Sequence, residues 1–149
     1  MSRRRAREFA LQALYQADIS EVGAPEGLDH LWRSQVDGGL GDKVAEADEI
    51  SFSQRVTSGV LERQTEIDAL IEAASVNWRL ARMPVVDRNI LRLAAYELLA
   101  CEDVPASVCI NEAVELAKRF GDKESRAFVN GILDRIANDL GRGGRRHKG

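Results

Sequence analysis

Apolar residues recur along this chain with the period of a helix. From Arg3 to about Ile19, the positions Ala6, Phe9, Ala10, Ala13, Leu14 and Ala17 follow i, i+3, i+4, i+7, i+8, i+11. That spacing puts one continuous stripe on one side of a helix. Ser2 is placed to cap it. A second row on the same helix, Arg4, Arg7, Leu11 and Tyr15, falls outside this stripe. An apolar Leu and an aromatic Tyr beyond a row of arginines read as a contact surface, or as residues packed under a neighbouring helix. Glu21 to Gly27 reads as a loop containing Pro25, and a short helix is expected over roughly Leu28 to Val36. Gly38, Gly39 and Gly41 mark Asp37 to Val44 as a connector. Asp48 to Ser75 keeps near-helical phase through Phe52, Val56, Val60, Ile67, Ile71 and Ala74, with room for a break inside it.

The carboxyl half is more regular. Trp78 and Leu80 are expected to anchor the short stretch from Val76 to Met83. Pro84 suits the first turn of the helix that follows. That helix, Val85 to Cys101, is apolar almost all round, so it is expected at the centre of the carboxyl half. Its few polar residues include Asp87, Arg88, Arg92 and Glu97. Asp87 and Glu97 need cations, either Arg88 and Arg92 or a partner's, and for Glu97 the internal pair is preferred. Val104 to Ala137 reads as two amphipathic helices around a tight corner. Cys109, Ile110, Ala113, Val114, Leu116, Ala117 and Phe120 form the first stripe; Val129, Ile132, Leu133, Ile136 and Leu140 form the second. Gly121 is expected to end the first helix in the left-handed conformation, with Asp122 as N-cap of the next and Ser125 three residues on. The corner carries Lys118, Arg119, Lys123 and Arg126, with Phe128 at its lip.

Only 5% of the 149 residues are aromatic and three are proline, which supports an all-α protein. The organisation expected is two small helical bundles packed together, with about seven helices. The bundles span about 1–77 and 78–140, and the glycine-rich basic tail 141–149 is read as flexible. No stretch is apolar for long enough to cross a membrane, and MSRRRARE has no apolar segment behind it to make a secretory signal. Cys101 and Cys109 lack metal-ligand spacing and read as reduced core residues, which implies a cytoplasmic protein. The charge is divided. Residues 1–8 carry +3 and residues 142–149 carry +4, against −3 for the whole chain, so the body between them stands at −10. An acidic body with basic ends suggests a local basic site, with acidic surface left for other partners.

Four arginines in the first two turns oppose the helix dipole, at a cost of roughly 0.3–1 kcal/mol each at most. Only Glu8 compensates them locally. Such a feature points to a ligand, with a frayed and solvated terminus as the bland alternative. Catalytic chemistry finds no support. The two histidines stand at 30 and 147, the GGLG stretch lacks a phosphate loop's following Lys-Ser/Thr, and no metal-ligand spacing appears. The protein is read as a non-enzyme without cofactor or metal.

Three stretches, RRRAREFALQALYQAD, VVDRNILRLAAYELL and DVPASVCINEAVELAKRFGDKESRAFVNGILDRIA, together resemble the NusB family of bacterial transcription antitermination factors. They cover residues 3–19 and about 78–137. The resemblance implies an all-α fold and a role in antitermination on ribosomal RNA operons. It implies pairing with NusE, a small-subunit ribosomal protein, and binding of the single-stranded boxA element of nascent RNA. Other antitermination factors and RNA polymerase would be met indirectly. On this resemblance Arg3, Arg4, Arg5 and Arg7 meet RNA, and Phe128, with Lys123 and Arg126 before it, forms a second part of that surface. Lys118 joins it from the basic corner. Tyr15 and Asp87 match positions of the NusE contact; Leu11 and Arg88, their neighbours, are taken with them. Cations along a backbone and rings under splayed bases are the usual means of holding single-stranded RNA, so the two readings agree. Juxtaposition of the arginines with Phe128 is expected. A homodimer over Leu11, Tyr15 and the arginine face would cover the RNA site and store the protein inactive. Two alternatives remain: a stand-alone RNA-binding module like that of certain ribosomal RNA methyltransferases, and a helical adaptor whose arginines are merely solvated.

Overall fold

The computed structural model describes residues 3–20, 47–76 and 78–142. Among them the chain is all-helical: α1 (Arg3–Ser20), α2 (Ala47–Glu62), α3 (Gln64–Ala74), a 3-10 turn (Leu80–Arg82), α4 (Val85–Ala100), α5 (Ala106–Phe120) and α6 (Ser125–Asp139). The helix expected over 28–36 and the glycine-rich connector lie outside the described residues.

The chain divides into two compact units, 1–62 and 63–149. The division falls at Arg63 rather than near residue 77, because the expected 48–75 helix breaks there. α2 packs on α1, whereas α3 packs on α4 and α6. Two halves of one apolar stripe thus serve two cores, and the chain turns where the partner changes.

In the first unit α1 packs on α2; Ala6, Phe9, Ala10, Ala13 and Leu14 are buried on α1, and Phe52, Val56 and Val60 on α2. Ala17 is only half-buried. Asp48 and Glu49 in the first turn of α2 suit the positive end of its dipole.

In the second unit α4 is central. It touches α3, α5 and α6, and it is buried from Asn89 through Leu98. Arg92 ties it to α3 by two bonds to Asp68, Nε to Oδ1 at 2.9 Å and Nη2 to Oδ2 at 3.2 Å. Arg92, one of the two internal cations offered to Asp87 and Glu97, takes the Asp68 carboxylate of the neighbouring helix. Cys101 and Cys109 are buried and not disulfide-bonded. α6 ends in a Schellman motif: Gly141, at φ 76, donates to Asn138, and Arg142 N–H donates to Ala137. The Arg142 side chain donates to the carbonyls of Leu98, at 2.8 Å, and Val104. The flexible tail expected from 141 therefore does not begin there, since Gly141 and Arg142 complete the fold.

Gly121 corrects a sequence expectation. It is extended, at φ −92 and ψ −173, not left-handed. A Cβ there would stand 2.5 Å from Ser125 Oγ and 2.6 Å from Ser125 Cβ. The position requires glycine for close approach, not for backbone angle.

Candidate nucleic-acid and partner interface

The first candidate region is the start of α1. Arg4 is exposed. The Arg3 guanidinium lies 4.5 Å and that of Arg7 5.4 Å from the centre of the Phe52 ring. Arg5 lies over Phe9 at 5.5 Å and pairs with Glu49 at 3.8 Å. The arginine row is thus built onto α2. The carboxylate that Arg5 meets stands 44 positions away in the chain, beyond the reach of a local reading that offers only Glu8.

Two residues of the expected contact row are not at the surface. Leu11 is 3% exposed and Arg7 is 4% exposed, whereas Tyr15 is 37% exposed. The buried face of α1 is wider than the stripe read from the sequence. Arg7, Leu11 and Leu14 continue it by i+4 and i+7, and only the two ends of the second row, Arg4 and Tyr15, face outward. Leu11 is therefore buried within the chain and not presented to a dimer or partner surface.

The second region is the corner between α5 and α6. Asp122 N–H donates to Ser125 Oγ at 3.1 Å, and Asp122 Oδ1 accepts from Glu124 N–H at 3.0 Å. These two bonds run from Asp122 to two different residues and fix the turn into α6, which begins at Ser125 after Glu124 rather than directly after Asp122. The Ser125 hydroxyl then donates to Asp87 Oδ1 at 2.7 Å, which joins the corner to α4. Lys118, Lys123 and Arg126 are exposed around it, with Lys118 3.5 Å from Glu115.

Phe128 is half-buried and meets the edge of Trp78, ring centres 6.2 Å apart at 74°. Of the two anchors expected for this stretch, Leu80 is buried and Trp78 is 50% exposed. Ser75 Oγ donates to the Trp78 carbonyl at 3.1 Å. Trp78, Phe128, Pro84, Asp87, Asp122 and Glu124 line a pocket of about 210 Å³. Phe128 and Asp87, one assigned to RNA and the other to a protein partner, thus share one pocket. Sequence reasoning missed Trp78 here, although an aromatic residue six positions before a proline in a short connector was the available signal. Arg88 does not line the pocket; its Nη1 lies 3.5 Å from the Leu80 carbonyl and 3.4 Å from that of Ala81.

Two rings and three carboxylates favour a cation or an N–H-rich group and repel a phosphate. Burial raises the Asp87 carboxyl above the usual carboxylate range; the Ser125 hydroxyl opposes this and the Asp122 charge adds to it. A carboxyl whose folded pKa is raised binds its proton more tightly in the fold. The ionised form is therefore a cost to stability that appears as pH rises through the folded pKa and vanishes below the unfolded value of about 4. Asp87→Asn keeps an acceptor for Ser125. It is expected to be more stable than the wild type at pH 7, with the advantage shrinking towards pH 4. Urea midpoints of both proteins across that range check this; a pH-independent difference contradicts it.

Among the described residues, no group of three or more His, Cys, Asp or Glu side chains is placed to hold a metal ion. No helix among them is long and apolar enough to cross a membrane.

Residues 4–138 match the NusB family. The chain is similar to the transcription antitermination protein NusB of Bacillus subtilis (strain 168), 45% identical over 140 residues, which are 94% of this chain and 98% of that protein. The protein of the same name from Myxococcus xanthus (strain DK1622) is 47% identical over 136 residues, 91% and 94% of the two chains. Among solved structures, T. maritima NusB superposes with a TM-score of 0.82 at 38% identity, over 93% of this chain and 92% of that one. The antitermination factors NusB and NusE in complex with dsRNA give a chain with TM-score 0.78 at 26% identity, over 93% and 99%.

Proposed function

The chain belongs to the NusB family, and from that premise we propose that it is an RNA-binding transcription antitermination factor that pairs with NusE on boxA RNA. The observation that carries the reading is its likeness to the NusB solved with NusE and RNA. The outward guanidinium of Arg4 and the half-exposed one of Arg3 are the groups best suited to the RNA backbone in the first unit. Arg7, being buried, acts from behind them. Lys123 and Arg126, exposed at the start of α6, supply further cations.

The Trp78–Phe128 pocket suits the protein partner. NusE is a ribosomal protein, a class rich in basic residues, and three carboxylates beside two rings complement a Lys or Arg side chain. Tyr15, exposed on α1, is a second candidate for that contact. Single-stranded boxA is the RNA that this reading assigns. No catalytic step is assigned.

Arg4→Ala tests the RNA half. Affinity for a short labelled boxA RNA is expected to fall, and the slope of log K against log salt to flatten by about 0.7 for one lost phosphate contact. Fluorescence anisotropy over a salt series reads both. Unchanged affinity and slope contradict the reading of the start of α1 as an RNA surface.

A further inference from the structure

We propose that Phe52 is a positioning residue for RNA binding: its ring holds the Arg3 guanidinium at the surface of α1, with Arg7 stacked behind. This rests on the reading that the start of α1 meets RNA. Arg3 and Arg7 lie four residues apart, on one side of a helix, and both reach the same ring, at 4.5 and 5.4 Å from its centre. Phe52 is itself buried on α2, so the ring is fixed by the α1–α2 packing.

The choice of a ring has a chemical consequence. A carboxylate that ordered Arg3 would neutralise it and occupy its N–H donors. An aromatic face orders a cation through its quadrupole, leaving both the charge and the in-plane donors for a phosphate. The two neighbouring arginines show the contrast. Arg5 lies over the Phe9 ring and also pairs with the buried carboxylate of Glu49, whereas Arg3 lies over the Phe52 ring. Arg7 is buried and cannot reach a backbone phosphate without leaving the ring, so its part is to fix the stack. An unsupported arginine at a helix start would have to be ordered by the RNA itself, at a cost in affinity.

The test compares the wild type with Phe52→Leu, which keeps apolar bulk, and Phe52→Tyr, which keeps the ring. Anisotropy with a short single-stranded boxA RNA is expected to show affinity about three- to tenfold weaker for Phe52→Leu. Phe52→Tyr is expected to restore it, with far-UV circular dichroism showing both variants folded at the assay temperature. NMR of the wild-type protein gives a readout that needs no variant. The arginine Hε signals of Arg3 and Arg7 are expected at ring-shifted positions, and to stay there when RNA saturates the protein. Release of Arg3 from the ring on RNA binding overturns the proposal, as does wild-type affinity in Phe52→Leu. Arg4→Ala keeps the two failures apart. If it leaves RNA binding untouched, the reading of α1 as an RNA surface fails. If it weakens binding and Phe52→Leu does not, only the positioning role fails.

Discussion

Gly121→Ala is expected to destabilise the second unit by about 2–4 kcal/mol. The backbone at this position is extended, so alanine suffers no conformational strain. The cost is steric and specific. The new methyl would fall 2.5 Å from Ser125 Oγ, 2.6 Å from Ser125 Cβ and 3.0 Å from the Ala117 carbonyl oxygen. Ser125 is not free to step aside, since its hydroxyl accepts from Asp122 N–H and donates to Asp87. Overpacking therefore breaks the Asp122–Ser125 bond before α6 and the bond that joins the corner to α4. Gly131→Ala is the internal control. A Cβ there meets nothing within 4 Å, in the middle of α6. That change is expected to stabilise by about 0.5–1 kcal/mol through helix propensity. Urea denaturation of the two variants measures both signs. A neutral Gly121→Ala contradicts the close approach described.

Arg92→Met is expected to cost about 2–3 kcal/mol. Breaking a buried ion pair typically costs about 3–5 kcal/mol. Here the Asp68 side chain keeps 23% exposure and regains some hydration, which lowers the figure. The change removes the fork on Asp68 and the bond from Nη1 to Asn89 Oδ1 at 3.2 Å, so it loosens α3 from α4. Arg92→Lys is not a rescue, because an ammonium cannot span both carboxylate oxygens and reach Asn89 as well. Asp68→Leu combined with Arg92→Met is expected to recover more than half of the loss, as apolar replacements of buried pairs commonly do. Denaturant midpoints of the single and double variants decide it. A double variant as unstable as the single one would show that the pair does more than satisfy itself.

These two sites also mark what the amino-acid pattern could and could not convey. The ranges of α1, α4, α5 and α6 and the central place of α4 follow from apolar periodicity, because each helix has one dominant burial direction or, for α4, several. The break at Arg63 is silent in that pattern. Val56, Val60, Ile67 and Ile71 stay in phase across it, and among the described residues the packing partner changes there, from α1 to α4 and α6. Gly121 was legible as a helix end, but its reason lies in Ser125, four residues on and folded back. The arginine row was legible as charge. That its members rest on Phe52 and Glu49 was not, because periodicity says where α2 turns its apolar side and nothing about which side chains of α1 it meets. The pocket shows the same limit. Asp87 and Phe128 were singled out separately, for different partners, and tertiary packing brings them together beside Trp78.

The most direct test of the central claim is fluorescence anisotropy with a short labelled boxA RNA and a scrambled control, with and without NusE, at two salt concentrations. The predicted result is tighter binding to boxA than to the scramble, strengthened by NusE, with part of the affinity lost as salt rises. Equal, weak binding to both RNAs that vanishes with salt and ignores NusE would contradict the claim, and would leave the basic residues as solvated charge on a helical adaptor.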